Sequence, residues 1–171
     1  SQFNLRRGAH ALAFGLQYKR ESVRDDQRDG NGETVLRGER ETFRNFGAFV
    51  QDEWTVTDRV DLVLGVRVDR HSALDDAVFS PRIALAWQVS DAMKLRAGLS
   101  TGFRAPEVFS EDLHVDTLGA EPVRIRNADG LVEERATTAM LGVDWRPGDD
   151  GRFSWDATVS LTQLRDTFVL S

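Results

Sequence analysis

The 171-residue sequence contains no cysteine, which excludes a disulfide framework, a cysteine-based metal site and a thiol nucleophile. It has no basic excess either, because 28 acidic residues outnumber 22 basic ones and give a net charge of -6. That balance argues against a nucleic-acid partner. No apolar run approaches the roughly 18 residues of a membrane-spanning helix. With a mean hydropathy of -0.39, these absences by themselves favour a soluble globular protein.

The sequence is rich instead in strict alternation of apolar and polar residues, the pattern of a β-strand with two different faces. In residues 59–71, "RVDLVLGVRVDRH", apolar side chains from Val60 to Val68 share one face, and Asp61, Arg67 and Asp69 lie on the other. Six more segments repeat this pattern, in residues 10–21, 44–56, 80–90, 94–103, 137–145 and 152–162. The alternation predicts an all-β antiparallel meander of seven strands. Each is about 10 residues or longer, against the usual 5 or 6.

The predicted connections alternate in length. Short ones lie around Thr57 and Asp58, around 90–92 and at 147–151, whereas the others span about 24–43, 70–80 and 104–135. In an antiparallel meander this places all short turns at one end and all long loops at the other. That asymmetry is typical of outer-membrane β-barrels.

The four tryptophans strengthen this interpretation. Trp54, Trp87, Trp145 and Trp155 all belong to the apolar face, and each lies within a few residues of a short turn. A ring of tryptophans at one lipid–water interface predicts this placement, because indole buries its ring while its N–H stays wet. A soluble β-sandwich would scatter them along its core. We therefore predict an outer-membrane location, with these residues as the interface girdle and lipid as a partner.

The predicted sheet is incomplete. Seven is an odd count, whereas bacterial single-chain barrels use even numbers, and both edges of the sheet remain open. At about 24 residues per strand, a 22-stranded barrel needs roughly 530 residues. Because the chain also begins at Ser1 without a signal segment, we expect about a third of a larger barrel.

Several segments resemble the TonB-dependent outer-membrane receptors. They are "GFRAPEVF" at 102–109, "GAFVQDEWTVTDRVDLVLGVRVDRH" at 47–71, "SPRIALAWQVSDAMKLRAGLSTGFRAPE" at 80–107 and "RNADGLVEERATTAMLGVDWRPG" at 126–148. Ala128 stands where the family usually has proline, and one extra residue precedes Leu131. The resemblance implies active uptake of a scarce solute such as an iron-siderophore, haem, cobalamin or similar metal chelate. It further implies a plug domain and the TonB protein as partners, although the sequence contains neither plug nor TonB box.

The acidic segment after the "FRAP" motif supplies the candidate cargo-binding residues. They are Arg104, Glu107, Glu111, Asp112, His114 and Asp116. The resemblance suggests His114 as a haem-iron ligand, and imidazole suits that role. A contact to another cargo, or an ordinary polar loop residue, remains an open alternative.

Asp25, Asp29 and Asn31 are weak candidates for calcium ligands, because their spacing does not match an EF-hand loop. Basic residues of the polar face, such as Arg67 and Arg96, either attract an anionic cargo or pair with Asp61, Asp69 and Asp144; we favour pairing. No nucleophile elbow, histidine pair or P-loop indicates an enzyme, and we predict no catalytic residue and no cofactor. A passive porin-like channel and a soluble β-rich binding module remain the alternative functions.

Overall fold

The computed structural model describes residues 1–28, 34–106, 132–148 and 153–167, and the side chains of all of these except 25–28 and 34–39. Eight antiparallel strands form one sheet in chain order. They are β1 (Gln2–Arg7), β2 (His10–Arg28), β3 (Thr34–Thr57), β4 (Val60–His71), β5 (Val78–Ser90), β6 (Met93–Arg104), β7 (Glu134–Trp145) and β8 (Trp155–Arg165). The predicted all-β meander is confirmed. No helix among these residues is long and apolar enough to cross a membrane.

The predicted count of seven strands was wrong because it omitted β1. This strand has only six residues, too few for the alternation of Phe3 and Leu5 to stand out. It pairs with β2 from Gln2 opposite Gly15 to Arg7 opposite His10. Gly8 adopts a positive φ of 58°, which glycine reaches without steric cost, and so closes the tight turn between them.

The predicted loop over 24–43 was also wrong. Most of it belongs to β2 and β3, which have 19 and 24 residues and pair with each other as far as Arg28 opposite Thr34. A membrane-spanning strand needs only about 9–11 residues, so this hairpin is much longer than a membrane-spanning strand requires. The half of the hairpin nearest the β2–β3 connection carries mostly polar residues on both faces. Because apolar and polar residues do not alternate there, the pattern does not predict the strands.

The register keeps apolar residues on one face across all the strands. Val50 lies opposite Val66, Leu62 opposite Leu85, and Ala97 opposite both Leu85 and Leu141. We call this the apolar face, and the opposite side, which bears Arg67, Asp69, Arg96 and Asp144, the polar face. Among the described residues only four hydrophobic side chains are buried: Phe43, Leu74, Val78 and Ala105. The large apolar side chains of the sheet therefore have no protein layer to pack against.

The connections divide between two ends, but their lengths do not alternate as predicted, because the connection from β7 to β8 covers nine residues, 146–154, whereas that from β4 to β5 covers six, 72–77. Turns of two residues at 8–9, 58–59 and 91–92, together with the connection from β7 to β8, define the short-turn end. The connections from β2 to β3, β4 to β5 and β6 to β7 define the long-loop end. The sheet does not close, since its order runs from β1 to β8 without returning.

Candidate functional site

A hollow of about 210 Å³ lies toward the long-loop end, between the middle of the β2–β3 hairpin and the ends of β4 and β6. Eight residues line it: Lys19, Glu21, Phe43, Asn45, His71, Phe103, Arg104 and Ala105. Its wall combines two phenyl rings with basic, acidic and amide groups. A pocket of this kind holds a ligand by apolar contact and fixes its orientation with a few polar groups.

Asp69 anchors the strand next to the hollow. Its side chain is fully buried, and Arg67 donates to it twice, from Nε to Oδ2 and from Nη2 to Oδ1, at 2.6 Å each. Asn45 Nδ2 donates a third hydrogen bond to Oδ1 at 2.9 Å. These bonds hold the Asn45 amide in place. Its Oδ1 is buried without a hydrogen-bond partner among the described residues, and is therefore an acceptor placed at the hollow.

His71 is buried and makes a ring contact and a hydrogen bond beside the hollow. Only 6% of the residue is exposed, and its ring stacks on that of Phe43 with centroids 6.1 Å apart. Its Nδ1 accepts a hydrogen bond from the Ala73 N–H at 3.2 Å, which fixes the rotation of the ring. The stack and the hydrogen bond together turn the end of β4 into a rigid wall of the hollow.

A small hydrophobic cluster positions the end of β6. Leu74 and Val78, from the β4–β5 connection and the start of β5, pack with Ala105, and Phe103 packs against them. Arg104 lies between Phe103 and Ala105 in the sequence. It is opposite Glu134 of β7 and lines the hollow. The hydrophobic contacts therefore fix the backbone at the residue from which the predicted cargo-binding segment departs.

Arg104 is the only predicted cargo-binding residue within the part of the chain that the structure describes. Glu107, Glu111, Asp112, His114 and Asp116 lie outside it. Of the weak calcium candidates, Asp25 is described only by its backbone in β2, and Asp29 and Asn31 lie outside. The described residues include no group of three His, Asp or Glu side chains that could hold a metal ion.

The sequence analysis did not select Asn45, Asp69 or His71 as site residues. Their signal was present, because Asp69 and His71 are the last polar-face residues of the most regular alternating segment. The favoured pairing of polar-face arginines is confirmed for Arg67 with Asp69 and for Arg96 with Asp144, the latter at 2.9 Å. Asp61 instead accepts a hydrogen bond from the Thr55 hydroxyl at 3.0 Å.

The tryptophans lie where the predicted girdle requires them. Trp54, Trp87, Trp145 and Trp155 are 37–50% exposed on the apolar face near the short-turn end. Trp145 and Trp155 lie opposite each other across β7 and β8. Contact of these indoles with lipid stays a prediction.

Residues 1–170 match the family model described as "TonB dependent receptor-like, beta-barrel". An iron-regulated outer membrane virulence protein of Vibrio cholerae is 31% identical over 101 residues, which are 59% of this chain and 15% of that protein. A probable TonB-dependent siderophore receptor, PirA, of Acinetobacter baumannii is 30% identical over 88 residues, 50% of this chain and 12% of that protein. The chain thus spans only a small part of the curated relatives it matches.

The fold is also that of a solved transporter. The FrpB iron transporter of Neisseria meningitidis superposes with a TM-score of 0.73 at 16% identity, covering 97% of this chain and 28% of that structure. The predicted family resemblance and the predicted outer-membrane location are confirmed by these matches.

Proposed function

The chain belongs to the TonB dependent receptor-like β-barrel family, and on that premise we propose that it forms part of the wall of a receptor for active solute uptake. The observation that carries this proposal is the contrast between the faces: exposed apolar side chains on one, a hydrogen-bonded polar network on the other. Only a barrel wall between lipid and an aqueous lumen satisfies both faces. The apolar face then contacts outer-membrane lipid, and the polar face lines the lumen.

The proposed cargo is a scarce metal chelate such as an iron-siderophore, haem or cobalamin. The names of two relatives, which refer to iron regulation and to siderophores, support an iron chelate first. A plug domain and TonB are the proposed partners in the full-length protein. The proposed role is transport without catalysis.

Cargo contact is proposed at the hollow and at the segment that leaves it. Arg104 supplies a guanidinium for an anionic chelate, since charge-assisted hydrogen bonds are the strong ones. Glu107, Glu111, Asp112, His114 and Asp116 follow directly in the chain and are proposed to complete the contact. Lys19 and Glu21, which form an ion pair at 2.7 Å, make the opposite rim polar.

Uptake by a strain that lacks the full-length protein tests the proposed function. The substrates are a ferric catecholate, a ferric hydroxamate, haem and cobalamin, each supplied under metal limitation. We expect uptake of one of them to disappear in this strain and in a strain without TonB. Unchanged uptake of all four would contradict active transport, and loss that does not require TonB would indicate a passive channel.

Arg104→Gln in the full-length protein tests the proposed site. We expect binding of the identified chelate to weaken about tenfold, because one charge-assisted hydrogen bond contributes roughly 1.5 kcal/mol. Arg82→Gln is the matched control, since Arg82 is an exposed arginine of the polar face far from the hollow. His114→Ala should reduce binding of haem if that is the cargo. Equal binding by the Arg104 and Arg82 variants would remove Arg104 from the site.

A further inference from the structure

Three aromatic rings from three different strands line the hollow. Phe43 of β3 and His71 of β4 stack with their planes 20° apart, and Phe103 of β6 borders the same space. The His71 ring is uncharged, because its Nδ1 accepts a hydrogen bond from the Ala73 N–H and therefore carries no proton. Aromatic side chains pack favourably against other rings in offset-stacked or edge-to-face contacts. These walls therefore favour an aromatic group of a ligand over an aliphatic one.

The protein itself fixes these three rings. Phe43 and His71 are only 9% and 6% exposed, and Phe103 packs against the small hydrophobic cluster at the end of β6. Side chains that are already ordered lose little conformational entropy when a ligand binds. The rings therefore form a preorganised binding surface.

The size of the hollow limits which part of a ligand enters it. Its volume is about 210 Å³. An apolar cavity of about 150 Å³ takes up benzene, whereas sites for whole drug-sized ligands measure roughly 300–1,000 Å³. The hollow therefore has room for one substituted six-membered ring. A complete macrocycle, such as the tetrapyrrole of haem or the corrin of cobalamin, is too large for it.

The charged groups at the hollow favour an anion. Of the eight lining residues that the structure describes, Lys19 and Arg104 are basic and only Glu21 is acidic. Glu21 already forms an ion pair with Lys19 at 2.7 Å. Arg104 is exposed and forms no ion pair within the described part of the chain. Its guanidinium is thus available to two neighbouring oxygens of a ligand, which it binds through parallel hydrogen bonds.

Ring, size and charge together separate the common metal chelates. A ferric trihydroxamate has neither an aromatic ring nor a net charge, and ferric citrate is an anion without a ring. Haem and cobalamin exceed the volume of the hollow. A ferric catecholate is an anion with separate dihydroxyphenyl rings, and each ring carries two adjacent oxygens. Of these chelates, only the catecholate meets all three conditions.

We propose that the hollow receives one dihydroxyphenyl ring of a ferric catecholate, and that Arg104 binds the oxygens of that ring. The ring packs against Phe103 and the stacked pair of Phe43 and His71, while the ferric centre stays outside the hollow in the lumen. This inference rests on the proposed uptake function and narrows its cargo to the catecholate class.

The test compares two anionic ferric chelates, a tris-catecholate and citrate, by quenching of tryptophan fluorescence in the full-length protein in detergent. We expect the wild type to bind the tris-catecholate at least about tenfold more tightly than ferric citrate. Phe103→Leu keeps an apolar side chain but removes the ring. It should weaken binding of the tris-catecholate about fivefold and leave ferric citrate unchanged. Arg104→Gln should weaken both chelates by a similar factor, because it removes a charge and not a ring.

Phe49→Leu is the matched control, since Phe49 lies on the polar face opposite Gly15 and Arg67, outside the hollow. It should bind both chelates like the wild type. The inference is overturned if Phe103→Leu binds the tris-catecholate normally, if it loses both chelates equally, or if Phe49→Leu loses as much. Tighter binding of a trihydroxamate, haem or cobalamin by the wild type would also overturn it, although the proposed uptake function would stand. Only binding of none of these chelates would remove both.

Discussion

The two faces of the sheet differ in how their side chains are stabilised. On the apolar face, large side chains such as Leu85 and Leu141 remain 39% and 67% exposed, and nothing in the described chain covers them. On the polar face, charged groups find partners within one or two strands, as Arg67 does with Asp69 and Arg96 with Asp144. The apolar face therefore depends on the surrounding medium to cover its side chains, whereas the polar face is stabilised largely by contacts among its own side chains.

One acidic residue breaks this division. Asp52 belongs to the apolar face, opposite Leu12 and Leu64, and His10 Nδ1 lies 2.7 Å from its Oδ2. The His10 ring also stacks on Trp54, with centroids 5.4 Å apart. The polar pair thus lies next to the tryptophan level, where water is near. A charge there is tolerated because it is close to the interface and has a partner.

A charged side chain in the middle of the apolar face should have the largest effect. Ile83→Arg places a guanidinium four residues from Trp87, near the centre of the proposed lipid-facing band, at a cost of about 3 kcal/mol. Ser100→Arg is the matched control, since Ser100 is an exposed residue of the polar face on the neighbouring strand. The measurement is the denaturant midpoint of unfolding of the full-length protein in lipid vesicles. Equal midpoints for both variants would mean that the apolar face does not meet lipid.

Removal of a carboxylate should affect the two faces differently. Asp69→Ala leaves Arg67 and Asn45 without their shared acceptor, and we expect a loss of about 2 kcal/mol. This value is below that of a fully buried pair because the Arg67 side chain is 32% exposed. Asp52→Ala removes a charge from the apolar face, together with a buried Oδ1 that has no described partner.

We therefore expect Asp52→Ala to change stability by less than about 0.5 kcal/mol, or to stabilise the protein slightly. Unfolding midpoints of the two variants under the same conditions give the comparison. A larger loss for Asp52→Ala than for Asp69→Ala would show that the His10–Asp52 pair between β2 and β3 stabilises the sheet more than the Asp69 network of β3 and β4 does.

The alternation made the fold predictable where one face is uniformly apolar. The segment from Val60 to Val68 indicated the strand and the face of each side chain, because a shift by one residue would move every apolar side chain to the wrong face. The outer half of the β2–β3 hairpin escaped prediction because both its faces are polar there. Gln2–Arg7 escaped because it is short, and only the positive φ of Gly8 reveals its turn.

The candidate site was less predictable than the fold. Arg104 was selected from a motif and lies at the hollow. Asn45 and His71, in contrast, are 26 residues apart in the sequence and meet only through the register of β3 and β4. The buried state of Asp69 likewise depends on Arg67 folding back over Gly47. Periodicity assigns a residue to a face, whereas these contacts depend on the conformation of individual side chains.

Gly47 offers the finest test of the polar face. A Cβ at this position would lie 2.7 Å from Asp69 Oδ1 and closer still to Arg67 Nη2, so the ion pair needs the space that glycine leaves. We expect Gly47→Ala to lower stability by about 1.5 kcal/mol, since the arginine must move off its carboxylate. Gly98→Ala is the control on the same face, because its Cβ would meet nothing nearer than 3.7 Å.

The Gly98 variant should remain within about 0.5 kcal/mol of the wild type. Combining Gly47→Ala with Asp69→Ala separates the two explanations of a loss at Gly47. If the alanine acts by displacing Arg67 from Asp69, the double variant should be little less stable than Asp69→Ala alone. If the losses add in full, Gly47 matters for the backbone of β3 and not for the ion pair, and the polar face would then be less self-sufficient than its hydrogen bonds indicate.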